Sequence, residues 1–210
     1  MTTSTTSTTD TDTDLTPTAA WRRRILKVGG FIQLAFAAFW LVRGSLNIHG
    51  TVGTLLAALS VVLVAAVVVY AIRASAGIGG RPTSREAKRI ERSVTIATVI
   101  ELVASFGFPV VVIAMGHSDW VLPSIAITIG PLLLWLDHLV HIPRYRSVGW
   151  VLTVGPFILV ATMSGNALAA VTGITAGVLL LGTATVGFHQ LAGMQRDHGS
   201  TAEPLTPLTQ

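Results

Sequence analysis

Six long apolar runs constrain this chain more than any other feature of its sequence. They cover residues 25–43, 52–73, 93–116, 120–141, 147–164 and 167–191. A helix needs roughly 20 mainly apolar residues to cross the hydrocarbon core of a bilayer, which is about the length of these runs. The pattern therefore predicts an all-α fold, a bundle of six transmembrane helices arranged as three hairpins.

The composition also indicates that most of the chain lies in a lipid bilayer rather than in water. Charged residues make up 11% of the chain and hydrophobic residues 51%, whereas about a quarter of a soluble domain is charged. The first 20 residues are mostly Thr, Ser and Asp, which bury too little apolar surface to offset the entropy of ordering. We therefore expect a disordered tail at 1–20, a six-helix transmembrane domain at 21–194 and a disordered cytoplasmic tail at 195–210.

Lys and Arg residues predict the orientation, because cytoplasmic loops of membrane proteins are enriched in them. With six spans and a cytoplasmic N-terminus, every basic residue except Arg43 falls on the cytoplasmic side. Both termini are then cytoplasmic. The net charge of +4 follows from topology in this interpretation, and no nucleic-acid partner is expected.

The connection between the second and third spans has a pattern of its own. Gly79, Gly80 and Pro82 end the second helix, and Thr83 with Glu86 fits a capping box that starts the third. The helical stem that follows carries four basic residues: Arg85, Lys88, Arg89 and Arg92. We expect this stem to contact anionic lipid headgroups, with docking of a soluble partner as the alternative.

Small residues and prolines shape the spans. Gly173 and Gly177 form a G-x-x-x-G motif, which predicts close helix packing either within the bundle or in a homo-oligomer. Pro131 lies in the middle of the fourth span, where it removes a backbone donor and leaves the carbonyl of Ile127 free. A kink is expected at that point.

Ionisable side chains are concentrated near the cytoplasmic ends of the spans. By helical rise, Asp137 lies about 7 Å and Glu101 about 12 Å below the cytoplasmic edge. Such groups are costly in hydrocarbon, so they normally face a bundle interior or a wet cavity and pair with one another. The predicted polar cluster comprises Gln33, Glu101, Asp137, His138, His141 and His189.

Carboxylates and imidazoles on several helices suit more than one chemistry. The favoured hypothesis is a small integral membrane protein that handles a proton, ion or small solute through a cytoplasm-facing polar cavity, with no catalytic residue, metal or cofactor. The first alternative is a non-catalytic membrane subunit whose polar cluster is structural. The second is a membrane metalloenzyme, since these side chains also bind Zn, Fe or Mn. It would use Glu101, Asp137, His138, His141 and His189.

Residues 21–194 resemble small six-span integral membrane proteins of bacteria, a group without an assigned function. The resemblance lies in the hydropathy pattern, in Glu101 within the third span, and in the H-x-P-x-Y sequence of His141, Pro143 and Tyr145 after the fourth. It implies a multi-pass protein of the bacterial cytoplasmic (inner) membrane. It implies no reaction and no substrate.

Overall fold

The computed structural model describes residues 17–76, 85–140 and 142–200, and their regular elements are helices. These are α1 (Pro17–Leu46), α2 (Thr51–Ala74), α3 (Arg85–Ala114), α4 (Val121–Val140), α5 (Pro143–Thr162) and α6 (Gly165–Ser200), with a short 3₁₀ turn at Ser118–Trp120 before α4. Each of α1 to α6 contains a stretch long and apolar enough to cross a membrane. The predicted all-α fold with six membrane-spanning helices is confirmed, and the chain is a multi-pass membrane protein.

The first and last helices run beyond residues 21–194, although their apolar spans, Leu26–Leu46 and Gly165–Met194, lie within that range. α1 begins at Pro17, inside the tail predicted at 1–20, and proline is well suited to the first turn of a helix. α6 continues to Ser200, past the predicted end at residue 194, because the hydrogen-bond ladder continues beyond the apolar span. Residues 1–16 and 201–210 lie outside the described part, as do the predicted helix breakers at 79, 80 and 82 and Thr83 of the capping box.

The centre of the bundle is the contact between α1 and α6, which pack together along most of their length. A Cβ atom built on Gly173 would lie 2.6 Å from the Cα atom of Gly44, so the two backbones meet with no room for a side chain. Gly177 likewise lies against Leu41. The G-x-x-x-G motif therefore packs α6 against α1 within the chain.

The other helices surround this pair. α2 packs on α1 and α6, while α4 and α5 form a second close pair, in which a Cβ atom on Gly149 would lie 2.9 Å from the carbonyl oxygen of Gly130. α3 packs on α4 but makes few contacts with α1. It exposes large apolar side chains around much of its circumference, among them Val103 and Phe106. Within the described part of the chain, the space between α1 and α3 is consequently open.

Candidate functional site

A partly open cavity of about 350 Å³ lies where α3 diverges from α1, with α4 forming its third wall. Most of the wall is apolar, as in Ile32 and Phe36 on α1 and Leu133 and Leu136 on α4. The polar residues that line the cavity are Arg24, Gln33, Thr95, Thr98, Glu101 and Tyr145. An apolar space with a few polar groups on its wall is typical of a small-molecule site.

Glu101 is the acidic residue in this wall, and its side chain is 6% exposed. Its Oε1 accepts a hydrogen bond from Ser105 Oγ, one turn further along α3, at 3.3 Å. Ser105 Oγ also lies 2.7 Å from Thr128 Oγ1 on α4. The Thr128 hydroxyl donates to the carbonyl of Ile125 at 2.7 Å. A short chain of hydroxyl groups thus connects the carboxyl of α3 to the backbone of α4.

The number of available protons shows that these hydroxyl groups hold the Glu101 carboxyl only weakly. Each hydroxyl has one proton, so two protons serve three acceptors: Glu101 Oε1, one of the two hydroxyl oxygens and the carbonyl of Ile125. When Thr128 donates to the carbonyl, Ser105 must choose between Thr128 and Glu101. The chain also engages Oε1 alone, which leaves Oε2 for another partner. Glu101 is therefore buried, yet its hydrogen-bonding capacity is not used up by these groups.

A second polar group borders the cavity at the junction of α1, α5 and α6. The Tyr145 side chain is 2% exposed, and its neighbours include Gln33 and the Arg144 guanidinium. Arg144 Cζ lies 5.6 Å from the centroid of the Tyr145 ring, and its Nη1 donates to Gln190 Oε1 at 2.8 Å. Because Tyr145 and Gln33 both line the cavity and Arg144 reaches Gln190 on α6, this group forms part of one wall of the cavity.

The sequence analysis assigned no role in the site to Tyr145, Ser105 or Thr128. For Tyr145 a signal was available, since Pro143 at the first position of α5 sets the register of the helix start and puts Tyr145 in its first turn. For Ser105 the available signal was its position four residues after Glu101, on the same face of the helix. For Thr128 there was no such signal. Hydroxyl side chains in a membrane helix commonly bond to their own backbone, and only the packing of α3 on α4 brings these two together.

Two of the predicted cluster residues, Gln33 and Glu101, line the same cavity. Their side chains are 7% and 6% exposed, so both are shielded from lipid. They approach from α1 and α3, which are otherwise hardly in contact. Among the described members of the predicted cluster, Gln33 and Glu101 are thus the two that come together at one cavity.

The structure locates the other cluster residues elsewhere. On α4, Asp137 is half-buried and His138 is exposed, and the cavity is lined by their neighbours Leu133 and Leu136 instead. His189 on α6 is exposed, and its Nδ1 lies 3.3 Å from the Tyr70 hydroxyl on α2. His141 lies outside the described residues. Across 17–76, 85–140 and 142–200, no three His, Asp or Glu side chains come close enough to share a metal ion.

We compared the chain with models of protein families, with curated proteins and with solved structures. None of the three comparisons gives a match. The function is therefore inferred from the residues that line this cavity.

Proposed function

We propose that this protein handles a proton, a cation or a small solute through the cavity between α1, α3 and α4, and that Glu101 binds it. The burial of Glu101 carries the proposal, because the side chain is 6% exposed within the span Arg92–Ala114 and lines the cavity. An ionisable group at such a depth costs a few kcal/mol or more unless it is paired. Among the described residues, its donor is the neutral hydroxyl of Ser105, which Thr128 also engages.

The polar lining of the cavity extends toward the end of the bundle that carries most of the basic residues. Thr95, Thr98 and Glu101 follow one another along α3, and Arg24 lies about 13 Å from Gln33 along α1 by helical rise. The distribution of Lys and Arg assigns this end to the cytoplasm. In this proposal the cavity opens to the cytoplasm, with Arg24 at its mouth and Glu101 at its inner end.

The same orientation gives the basic stem its role. Lys88, Arg89 and Arg92 are exposed at the start of α3, just before or at the beginning of its membrane span. In the proposed topology they contact anionic headgroups of the cytoplasmic leaflet, each contributing about 1 kcal/mol. A reporter fused after Gln210 should be active only in its cytoplasmic form. Periplasmic activity of that fusion would show that the cavity has the opposite orientation in the membrane.

Reconstitution with matched carboxyl variants tests the role of Glu101. The full chain is placed in liposomes, and uptake of protons, alkali cations and organic cations is followed under an imposed gradient. Glu101→Gln keeps the shape and removes the charge, so uptake should fall by at least about tenfold, the change that 1.4 kcal/mol produces. Asp137→Asn is the control, since Asp137 is a carboxyl of a neighbouring span that does not line the cavity. If every response in the panel is unchanged in Glu101→Gln, the proposal is wrong.

A second function, that of a non-catalytic membrane subunit, is favoured by one contact. The Ser105–Thr128 hydrogen bond at 2.7 Å joins α3 to α4, and Glu101 lies at the end of the same chain of hydroxyls. In a purely structural role, Glu101→Gln would still accept the hydrogen bond and would behave as wild type in uptake and in stability. Loss of uptake with an unchanged thermal midpoint therefore separates the two functions.

A further inference from the structure

Glu101 borders a second recess besides the cavity. This groove of about 630 Å³ runs between α3 and α4 and is more open than the cavity. Ile100, Phe108, Ile127 and Trp135 contribute to its largely apolar lining, and the groove is flanked by side chains that are themselves exposed, such as Ile100 at 63%. Since these residues lie within the membrane spans, the groove opens toward the hydrocarbon of the bilayer.

Helical periodicity explains why one residue belongs to both recesses. On α3, the cavity is lined by Val94 and Thr98, and the groove by Ala97 and Ala104, which project on the other side of the contact with α4. Glu101 lies on the line of contact between these two faces. Glu101 thus borders the cavity on one side and the lipid-facing groove on the other.

We infer that the solute is a lipophilic organic cation, and that it reaches Glu101 from the bilayer through this groove. The inference rests on the proposed function and adds a substrate class and an entry route to it. The acidic residue shared by both recesses supplies the charge complement. The walls of the cavity and the groove, which are mainly apolar, match a solute whose body is apolar.

Several features favour this class over a metal cation or a bare proton. A hard metal cation needs six or more oxygen ligands or retained waters, whereas the groove offers few polar side chains in an apolar lining. A proton alone needs no cavity of about 350 Å³. The aromatic ring of Phe36 in the cavity wall is suited to an organic cation, because a ring face attracts positive charge.

The backbone of α4 adds an acceptor at the same place. Pro131 lies inside α4 and has no N–H, so the carbonyl of Ile127, four residues earlier, lacks its usual helical donor. Ile127 and Pro131 both line the groove beside Glu101. A carboxyl and a carbonyl with spare acceptor capacity therefore lie along the proposed route, and both favour positive charge.

Two ions of the same shape and opposite charge test the substrate class. Tetraphenylphosphonium and tetraphenylborate are titrated into the full-length protein in lipid nanodiscs, with tetramethylammonium as a hydrophilic cation. Tetraphenylphosphonium should bind at least about tenfold more tightly than either of the others. Binding should be lost in Glu101→Gln and kept in Asp137→Asn. Equal binding of the two tetraphenyl ions would overturn the inference.

A pair of tryptophan substitutions on α3 tests the entry route. Ala104→Trp fills the groove, whereas Val103→Trp places the same side chain at a neighbouring position that is 67% exposed and lines neither recess. Binding of tetraphenylphosphonium from the bilayer should slow by about tenfold in the first variant and stay unchanged in the second. Equal rates in Ala104→Trp and wild type would exclude the groove as the route.

These results also separate the inference from the proposed function. Glu101-dependent uptake of protons or of hydrophilic cations, without binding of tetraphenylphosphonium, would overturn the inference and leave the proposed function in place. Binding of tetraphenylphosphonium that persists unchanged in Glu101→Gln, together with uptake that ignores Glu101, would overturn both.

Discussion

α6 and α3 are both long apolar helices, yet α6 is largely buried in the bundle and α3 is largely exposed. In the most apolar part of its span, 61% of the residues of α6 are buried, against 11% in α3. α6 owes its burial to glycines that admit the backbone of α1, whereas α3 makes its main contact with α4. It is nevertheless α3, the more exposed helix, that carries the buried carboxyl of Glu101. The contacts that bury a helix as a whole, as in α6, thus differ from those that bury a single polar side chain, such as Glu101 on α3.

Close backbone packing is the first difference to test, and the effect should be the largest. Gly173→Leu places a side chain where the Cα atom of Gly44 is 2.6 Å away, so α1 and α6 must separate. We expect a loss of stability beyond the about 3 kcal/mol typical of severe overpacking, and little folded protein. Gly107→Leu on α3 is the matched control, because nothing lies within 4 Å of its Cβ position. The yield and thermal midpoint of detergent-purified protein measure both. A stable Gly173→Leu variant would contradict the central role of this contact.

Two phenylalanines extend the comparison to side-chain packing. Phe188 on α6 is fully buried over Gly30 and meets Phe31 edge to face at 5.1 Å between ring centroids, while Phe106 on α3 is 71% exposed. Phe188→Ala should destabilise the protein by about 3–5 kcal/mol because it leaves a cavity. Phe106→Ala should change the thermal midpoint by little, since lipid can fill the space. Equal midpoints for the two variants would show that α3 is covered by something other than lipid.

The hydroxyl link between α3 and α4 is the smallest of these effects. A double-mutant cycle with Ser105→Ala and Thr128→Val measures the coupling across their 2.7 Å contact. Hydrogen bonds between membrane helices are worth about 0.6 kcal/mol on average and at most about 1.7. We expect a coupling within this range from reversible unfolding in mixed micelles. A value near zero would mean that apolar contacts alone hold α3 on α4.

Glu101 shows how far the sequence leads toward the site. Its depth in the third span was predictable from helical rise, and so was the expectation that it turns away from lipid. The link from Ser105 to Thr128 was not predictable, because these two residues are 23 residues apart and meet only when α3 packs on α4. Asp137 and His189 illustrate the converse. By sequence they lie in the same cytoplasmic half of the bundle as Glu101, but the rotation of α4 and α6 about their axes directs them to other surroundings.

The sequence by itself determined the solvent, the number of spans and the approximate ends of each helix. These properties follow from local composition, because each span must satisfy its own backbone hydrogen bonds and exceed the thickness of the bilayer. Only the tertiary structure decided that α1 and α6 form the centre, that α3 is peripheral, and that Gln33 and Glu101 face one cavity. Those outcomes depend on which helix faces meet, and in lipid that choice rests on close packing of small residues and a few polar contacts rather than on hydropathy.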